Sequence, residues 1–138
     1  MIRSEKDLVD LLDESFKMQG FVTAREVRML SKFIDLVAYS AVDDGLVAVE
    51  AKLSGWRRAF QQAMTYRICA DGVYIAVPAG IGHRVDMELL KRYGIGLIIA
   101  GEDEVHIIFE AERIRNSDAR LKDAMIAECR MGGLNGRF

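Results

Sequence analysis

The chain reads as one α/β domain, a mixed β-sheet with helices on both of its faces. Three observations predict this. Helical and strand-like patterns interleave along the 138 residues. The three strands expected after the first helix follow one another with no helix between them. Half of the residues are hydrophobic and there is a single proline, a composition that builds a packed interior rather than a disordered chain. A chain of this length makes one core.

The first element is a helix from about Glu5 to Met18. Ser4 is its N-cap, with Asp7 three residues on, a variant of the capping box. Leu8, Leu12 and Phe16, with Val9 and Leu11 beside them, form its apolar face, and Gly20 ends it. Phe21 to Val27 is rich in β-formers and predicts a first strand. Phe33 to Tyr39 and Leu46 to Leu53 predict two more, and the turn signal Asp43-Asp44-Gly45 makes them an antiparallel hairpin. Counted outward from that turn, Asp35 falls opposite Glu50. Trp56 to Ala70 reads as a helix with Trp56, Ala59, Phe60, Ala63 and Met64 on its apolar side, stopped by Asp71-Gly72. Val73 to Val77 is a short buried strand closed by Pro78. There follow a helix from Arg84 to Tyr93, a strand from Ile95 to Ala100, a turn at Gly101-Glu102-Asp103 and a strand from Val105 to Phe109. Ser117 caps a last helix reaching about Arg130, with Leu121, Ala124 and Met125 inward. Residues 131–138 carry three glycines and are expected to fray. The whole is a single domain: an α-β-β-β-α-β core over about residues 4–77 and a C-terminal α-β-β-α extension over 78–130.

Composition narrows the function. A net charge of −2 excludes a broadly basic nucleic-acid coat, so any such contact must come from a local patch. No apolar run approaches the roughly 20 residues of a membrane span, and Met1 to Lys6 lacks the apolar stretch of a signal peptide. Cys69 and Cys129 have neither metal-ligand spacing nor a disulfide framework around them, so a reducing cytoplasm is the expected compartment, with no membrane contact.

Chemistry is carried by an ordered series: Asp35, then Glu50-Ala51-Lys52, then Gln62-Ala63-Met64-Thr65-Tyr66. Residues i and i+2 of a strand share a face, so Glu50 and Lys52 point one way and Ala51 the other. Asp35 interrupts the apolar run Phe33-Ile34-Asp35-Leu36-Val37. Charged groups inside two neighbouring hydrophobic strands are costly without partners, and a divalent cation supplies one. Mg²⁺ takes one or two carboxylates plus water and substrate phosphate; it would activate water and neutralise phosphate charge, with Lys52 orienting the attack or stabilising developing charge. A plain Asp-Lys-Glu ion pair at the sheet's edge is the alternative. Arg58, Gln62 and Tyr66 are spaced four apart and form one polar stripe of the next helix. Gln62 can hold a water on the ion or a backbone group, and Arg58 and Tyr66 can contact phosphate.

These motifs resemble the PD-(D/E)XK nuclease superfamily, whose fold is called restriction-endonuclease-like, and within it the Gln-x-x-x-Tyr branch seen in RecB-type nuclease domains and lambda-type exonucleases. The resemblance runs from about Glu5 to Val77. It implies that Asp35 and Glu50 are metal ligands, that the backbone carbonyl of Ala51 is a further ligand, that Lys52 is the catalytic lysine and that Gln62 and Tyr66 are accessory. A glutamate of the first helix completes many such sites; Glu5 is the first candidate and Glu14 the second. Ile34 stands where the motif's name has proline.

The function expected is therefore a Mg²⁺- or Mn²⁺-dependent nuclease hydrolysing DNA, with Lys32, Arg57 and Arg58 in a local basic rim. A catalytically inactive nuclease-fold module that binds nucleic acid or a protein is the other reading. So short a chain has little surface for reading a target, and a homodimer would double it. His83 and His106 have no ligand-spaced partners, and Gly80-Ile81-Gly82 is a turn after Pro78.

Overall fold

The computed structural model describes residues 2–115 and 117–135. Helix α1 (Glu5–Met18) is followed by strands β1 (Val22–Met29), β2 (Lys32–Ser40) and β3 (Gly45–Ala51), helix α2 (Trp56–Thr65), β4 (Gly72–Pro78), α3 (Met87–Arg92), β5 (Gly96–Ala100), β6 (Val105–Phe109) and α4 (Ala119–Asn135). The six strands lie in one sheet in sequence order. β1, β2 and β3 form an antiparallel meander, β3, β4 and β5 run parallel, and β6 returns antiparallel. The two parallel connections need crossovers, which α2 and α3 supply. No helix among the described residues is long and apolar enough to cross a membrane.

Both faces of the sheet are covered, as the near-continuous apolar runs of its central strands require. α1 lays Leu8, Leu12 and Phe16 on Leu36, Ala38, Val49, Ala51 and Ala76. On the opposite face α2, α3 and α4 pack Ala59, Ala63, Leu90, Met125, Ile126 and Cys129 against Val37, Ala48, Val73, Ile75 and Leu97. Ser4 caps α1 by accepting from the Asp7 amide at 3.0 Å, as its spacing predicts. Cys69 and Cys129 are buried and free.

Several elements differ from the sequence expectation. The second helix ends at Thr65, and Tyr66–Ile68 tightens into a 3₁₀ turn. The helix expected from Arg84 is two pieces. Ala79–Arg84 is 3₁₀, Val85 is extended, and α3 begins only after Asp86, whose side chain caps it by accepting from Leu89 N at 3.1 Å. Asp118 rather than Ser117 caps α4, accepting from the amides of Arg120 and Leu121 at 2.9 and 3.0 Å. Ala124 is exposed, and Ile126 and Cys129 join Met125 inside. α4 also runs on to Asn135, past the Arg130 expected from the sequence; residues 136–138 of the tail lie outside the described residues.

The alternation of β1 and β2 breaks where it matters most. Leu36 and Ala38 pack toward α1, whereas Ile34 and Val37 both pack toward the other face. Across the ladder Arg25 pairs with Leu36 and Val27 with Ile34, but Glu26 and Asp35 between them do not pair. Glu26 has φ +49°, a left-handed conformation costing a non-glycine residue about 1 kcal/mol or more. The outer end of this hairpin is thus turned relative to its inner end, with Asp35 at the pivot.

Candidate active site

The site forms where β2 and β3 part. Their ladder ends at Leu36–Val49. One step further out Asp35 stands across from Glu50, and main-chain pairing gives way to a side chain: Asp35 Oδ2 accepts from Ala51 N at 2.8 Å. The N–H and C=O of a strand residue point to the same side, so the Ala51 carbonyl is aimed into the gap between the strands. Meanwhile Lys52 N donates to Ala76 O at 3.0 Å, which keeps β3 tied to β4 as it leaves β2. The end of β3 is held rigidly on one side and open on the other.

Glu50 is only 2 % exposed. The Tyr66 hydroxyl lies 2.7 Å from its Oε1 and 3.2 Å from the Phe33 carbonyl. Lys52 Nζ stands 3.8 Å from its other oxygen. Burial pushes the Glu50 carboxyl up from 4.5 to about 7, the neighbouring Asp35 adds to the push, and the Tyr66 and Lys52 donors oppose it. Asp35 is raised as well, by burial first; the Ala51 amide and Lys52 pull it down, and the charge of Glu5 pushes it up. Two carboxyl groups this close, both desolvated, do not both ionise freely.

Tyr66 is wired for both protonation states. With Glu50 ionised, its hydroxyl donates to the carboxylate. With Glu50 protonated, the acid can donate to the phenol oxygen while the phenol donates to Phe33 O. The sequence stripe gives Tyr66 a phosphate to touch, whereas in the structure the side chain is fully buried and its hydroxyl is turned to Glu50. Tyr66→Phe leaves the ionised carboxylate short of a donor, so the variant is expected to lose about 1.5–3 kcal/mol at pH 8 and less at pH 5, as read by urea denaturation at the two pH values.

Gln62 sits one helical turn before Tyr66 on the same side of α2. Its Oε1 is buried with no hydrogen-bond partner among the described residues. Buried acceptors are seldom left so, and an orphaned amide oxygen one turn before the tyrosine that holds Glu50 is open to a water or ion brought there. Among the described residues no three His, Cys, Asp or Glu side chains gather closely enough to cage a metal. Mg²⁺ does not need such a cage. Two carboxylates, a main-chain carbonyl freed from its ladder and an amide oxygen awaiting a donor are the hard oxygen set it takes, with water and phosphate completing six. The residues present fit the ion.

Glu5 is exposed and, with Asp35, Lys6, Val9, Arg25 and Glu26, lines a cavity of about 390 Å³ beside α1. It is near enough to act on Asp35 by charge. Glu14 lines a different cavity, with Glu102 and Asp103 of the β5–β6 turn. Arg57 and Arg58 are exposed at the start of α2, the Arg57 guanidinium lying 4.8 Å over the Trp56 ring. Lys32 is exposed at the start of β2. His106 is exposed and pairs with Glu104 at 3.1 Å. The sequence reading missed Glu26, whose residue type gives no sign of its left-handed backbone, and Phe33, whose carbonyl receives Tyr66. Interruption of the apolar alternation at Asp35 is the one signal that marks this level of the hairpin.

Among the solved structures that resemble this one are three that follow its fold over most of the chain. A protein of unknown function from Silicibacter pomeroyi superposes with a TM-score of 0.74 at 20% identity, over 97% of this chain and 88% of the other. An XisH family protein from Nostoc punctiforme gives 0.54 at 16% identity, over 75% and 98%. A repair endonuclease from Pyrococcus abyssi gives 0.53 at 19% identity, over 70% of this chain and 46% of that one. No family profile and no curated protein sequence matches the chain. At these identities the likeness establishes the fold and nothing of the chemistry.

Proposed function

We propose, on the premise of a restriction-endonuclease-like fold with its mixed six-stranded sheet flanked by helices, that the chain is a Mg²⁺- or Mn²⁺-dependent nuclease that hydrolyses phosphodiester bonds of DNA, as in the Gln-x-x-x-Tyr branch of the PD-(D/E)XK superfamily. The observation that carries this reading is the meeting of Asp35, Glu50 and Lys52 at the parting of β2 and β3, with both carboxyl groups raised by burial and Glu50 raised further by Asp35.

Asp35 and Glu50 would hold the ion, with the Ala51 carbonyl and the Gln62 amide oxygen completing the protein's share. When bound, the ion supplies Lewis-acid neutralisation of phosphate charge and a lowered pKa for an attacking water. Lys52, as an ammonium, has three donors and no acceptor. It therefore orients a water lone pair or a phosphate oxygen and stabilises negative charge in the transition state, and takes no proton while charged. Tyr66 fixes the Glu50 carboxylate from behind. Asp35 in turn is fixed by the Ala51 amide, so neither carboxylate must reorganise when phosphate arrives. Arg58, Arg57 and Lys32 offer local cations on a chain of net charge −2, which is where an acidic protein must place any phosphate contact.

Incubation of the purified chain with linear and circular DNA and Mg²⁺ or Mn²⁺ tests the assignment. Cleavage is expected, with loss in Asp35→Ala together with loss of Mn²⁺ binding in calorimetry. Cleavage that persists in both Asp35→Ala and Glu50→Ala rejects these residues as the site. Intact DNA binding with no Mn²⁺ binding points instead to the inactive module.

A further inference from the structure

We propose that the β1–β2 hairpin tip is a platform for unpaired bases, with Phe33 as its stacking surface and single-stranded DNA as the ligand. It rests on the nuclease reading for its place in function, not for its binding chemistry.

The tip is a two-residue connection, Leu30-Ser31, between the paired residues Met29 and Lys32. Leu30 is 63 % exposed and Phe33 is 60 % exposed. Single exposed apolar residues are ordinary, but these two share one small tip with two cations. Arg28 is the cross-strand partner of Phe33, Lys32 precedes it, and both are exposed. No acidic residue stands between Arg28 and Phe33. An aromatic face flanked by cations is how proteins hold single strands: bases stack on the ring while the backbone follows the charge.

Folding does not explain these side chains. Leu30 has φ +59°, the conformation in which a hairpin turn of this kind prefers glycine at its first central position, so leucine there is strained as well as exposed. Arg28 Nε donates to the Leu30 carbonyl at 3.0 Å, which orders the guanidinium along the tip.

Position links the platform to the chemistry. Phe33 O receives the Tyr66 hydroxyl at 3.2 Å, and the same hydroxyl is 2.7 Å from Glu50. Asp35 lies two residues further along β2, about 7 Å of strand. A base stacked on Phe33 would set its strand beside the carboxyl pair, whereas a continuous duplex offers no open base face to the ring. The substrate class that follows is DNA with unpaired nucleotides at the cut.

Anisotropy titrations of the full chain with a labelled single-stranded oligonucleotide and with the matching duplex test this. EDTA is present so that nothing is cut. Phe33→Ala is expected to weaken single-strand binding about tenfold or more and to leave duplex binding within about twofold, since a duplex offers that ring no open base face. Phe33→Trp should keep the affinity, with its emission quenched on binding. Leu30→Gly should raise the melting temperature and still weaken the single strand. Arg28→Ala and Lys32→Ala should each flatten the salt dependence of single-strand binding by about 0.7 in log–log slope.

Equal affinity of Phe33→Ala and the parent chain for the single strand overturns the proposal. So does an equal loss on both ligands, or no single-strand binding by the parent chain. Self-association that Phe33→Ala abolishes, with single-strand affinity unchanged, assigns the tip to a second copy of the chain instead. Cleavage assays separate the two claims. A chain that cuts DNA indifferently to Phe33 keeps the nuclease and loses the platform; one that binds through Phe33 and cuts nothing does the reverse.

Discussion

Glu50→Gln is expected to make the metal-free protein more stable at pH 8, and catalytically dead. The carboxyl of Glu50 is almost fully buried and is raised from 4.5 to about 7. The folded state therefore holds a proton more tightly than the unfolded chain. Whatever stability that proton brings is complete below about pH 4.5, declines between pH 4.5 and 7, and is gone above it. A shift of this size is worth on the order of 3 kcal/mol. Asp35 is raised too and titrates with it, so the window belongs to the pair. Gln keeps the shape, accepts from Tyr66 and cannot ionise. Its unfolding free energy should lose the Glu50 share of the pH dependence, keeping that of Asp35, and exceed the parent's by about 2–3 kcal/mol at pH 8. Mn²⁺ should reverse the ranking: it stabilises the parent at pH 8, by about 2.7 kcal/mol at a hundredfold excess over its dissociation constant, and leaves Glu50→Gln where it was. Thermal melts at pH 5 and 8, with and without Mn²⁺, read all of this. The competing picture of a plain Asp-Lys-Glu ion pair predicts the opposite sign, because removing one partner of a buried pair strands the other at a cost of about 3–5 kcal/mol. A Glu50→Gln protein less stable than its parent at pH 8 sinks the metal-site reading.

What could be read from the sequence was what local rules govern. The Asp43-Asp44-Gly45 turn set the β2–β3 register, and counting back from it placed Asp35 across from Glu50, the step that assembles the site. The capped first helix and the strands at Val73, Ile95 and Val105 followed from caps, glycines and short apolar runs, whereas their parallel and antiparallel pairing is visible only in the structure. Failures came where tertiary packing overrode local preference. Tyr66 shares a helical stripe with Arg58 and Gln62, and a stripe of polar atoms reads as outward-facing. A tyrosine, however, is mostly a ring, and it buries that ring when its hydroxyl finds partners inside. Here Glu50 and Phe33 O are those partners, and they come from strands that the helix pattern knows nothing about. Asp86 falls inside the helix expected from Arg84 to Tyr93, although aspartate favours caps; extended Val85 is what separates the two pieces. Glu26 carries no mark at all, since a left-handed backbone is expected of glycine or asparagine rather than glutamate. Its conformation is imposed by a hairpin that must turn its outer half over at Asp35.

Lys52→Ala is expected to separate holding the ion from using it. The ammonium stands 3.8 Å from Glu50 at the end of β3, with about a quarter of its side chain in solvent. On the proposed reading it is a charge beside the ligands and not itself a ligand, because a positively charged donor has no lone pair for a cation. Removing it takes away one of the influences that hold Glu50 down, so the metal-free carboxyl pair moves further toward the protonated form and proton competition for the site rises. It also removes a positive charge that repels Mn²⁺. These two effects on metal affinity oppose each other, and calorimetry at pH 8 should find Mn²⁺ binding within a few-fold of the parent. The rate is another matter. A preorganised donor aimed at developing phosphate charge in a desolvated site is worth about 10²–10³ in turnover, and no other residue described at the parting of the strands supplies a positive charge so close to Glu50. Single-turnover cleavage should therefore fall by about that factor while the ion still binds, the reverse of Asp35→Ala, which loses both together. Lys52→Arg should not restore the rate, because the planar fork does not present donors along the directions of a compact ammonium. Parallel loss of Mn²⁺ binding and cleavage in Lys52→Ala would make the lysine a structural partner of Glu50 and leave the transition-state charge without its assigned stabiliser.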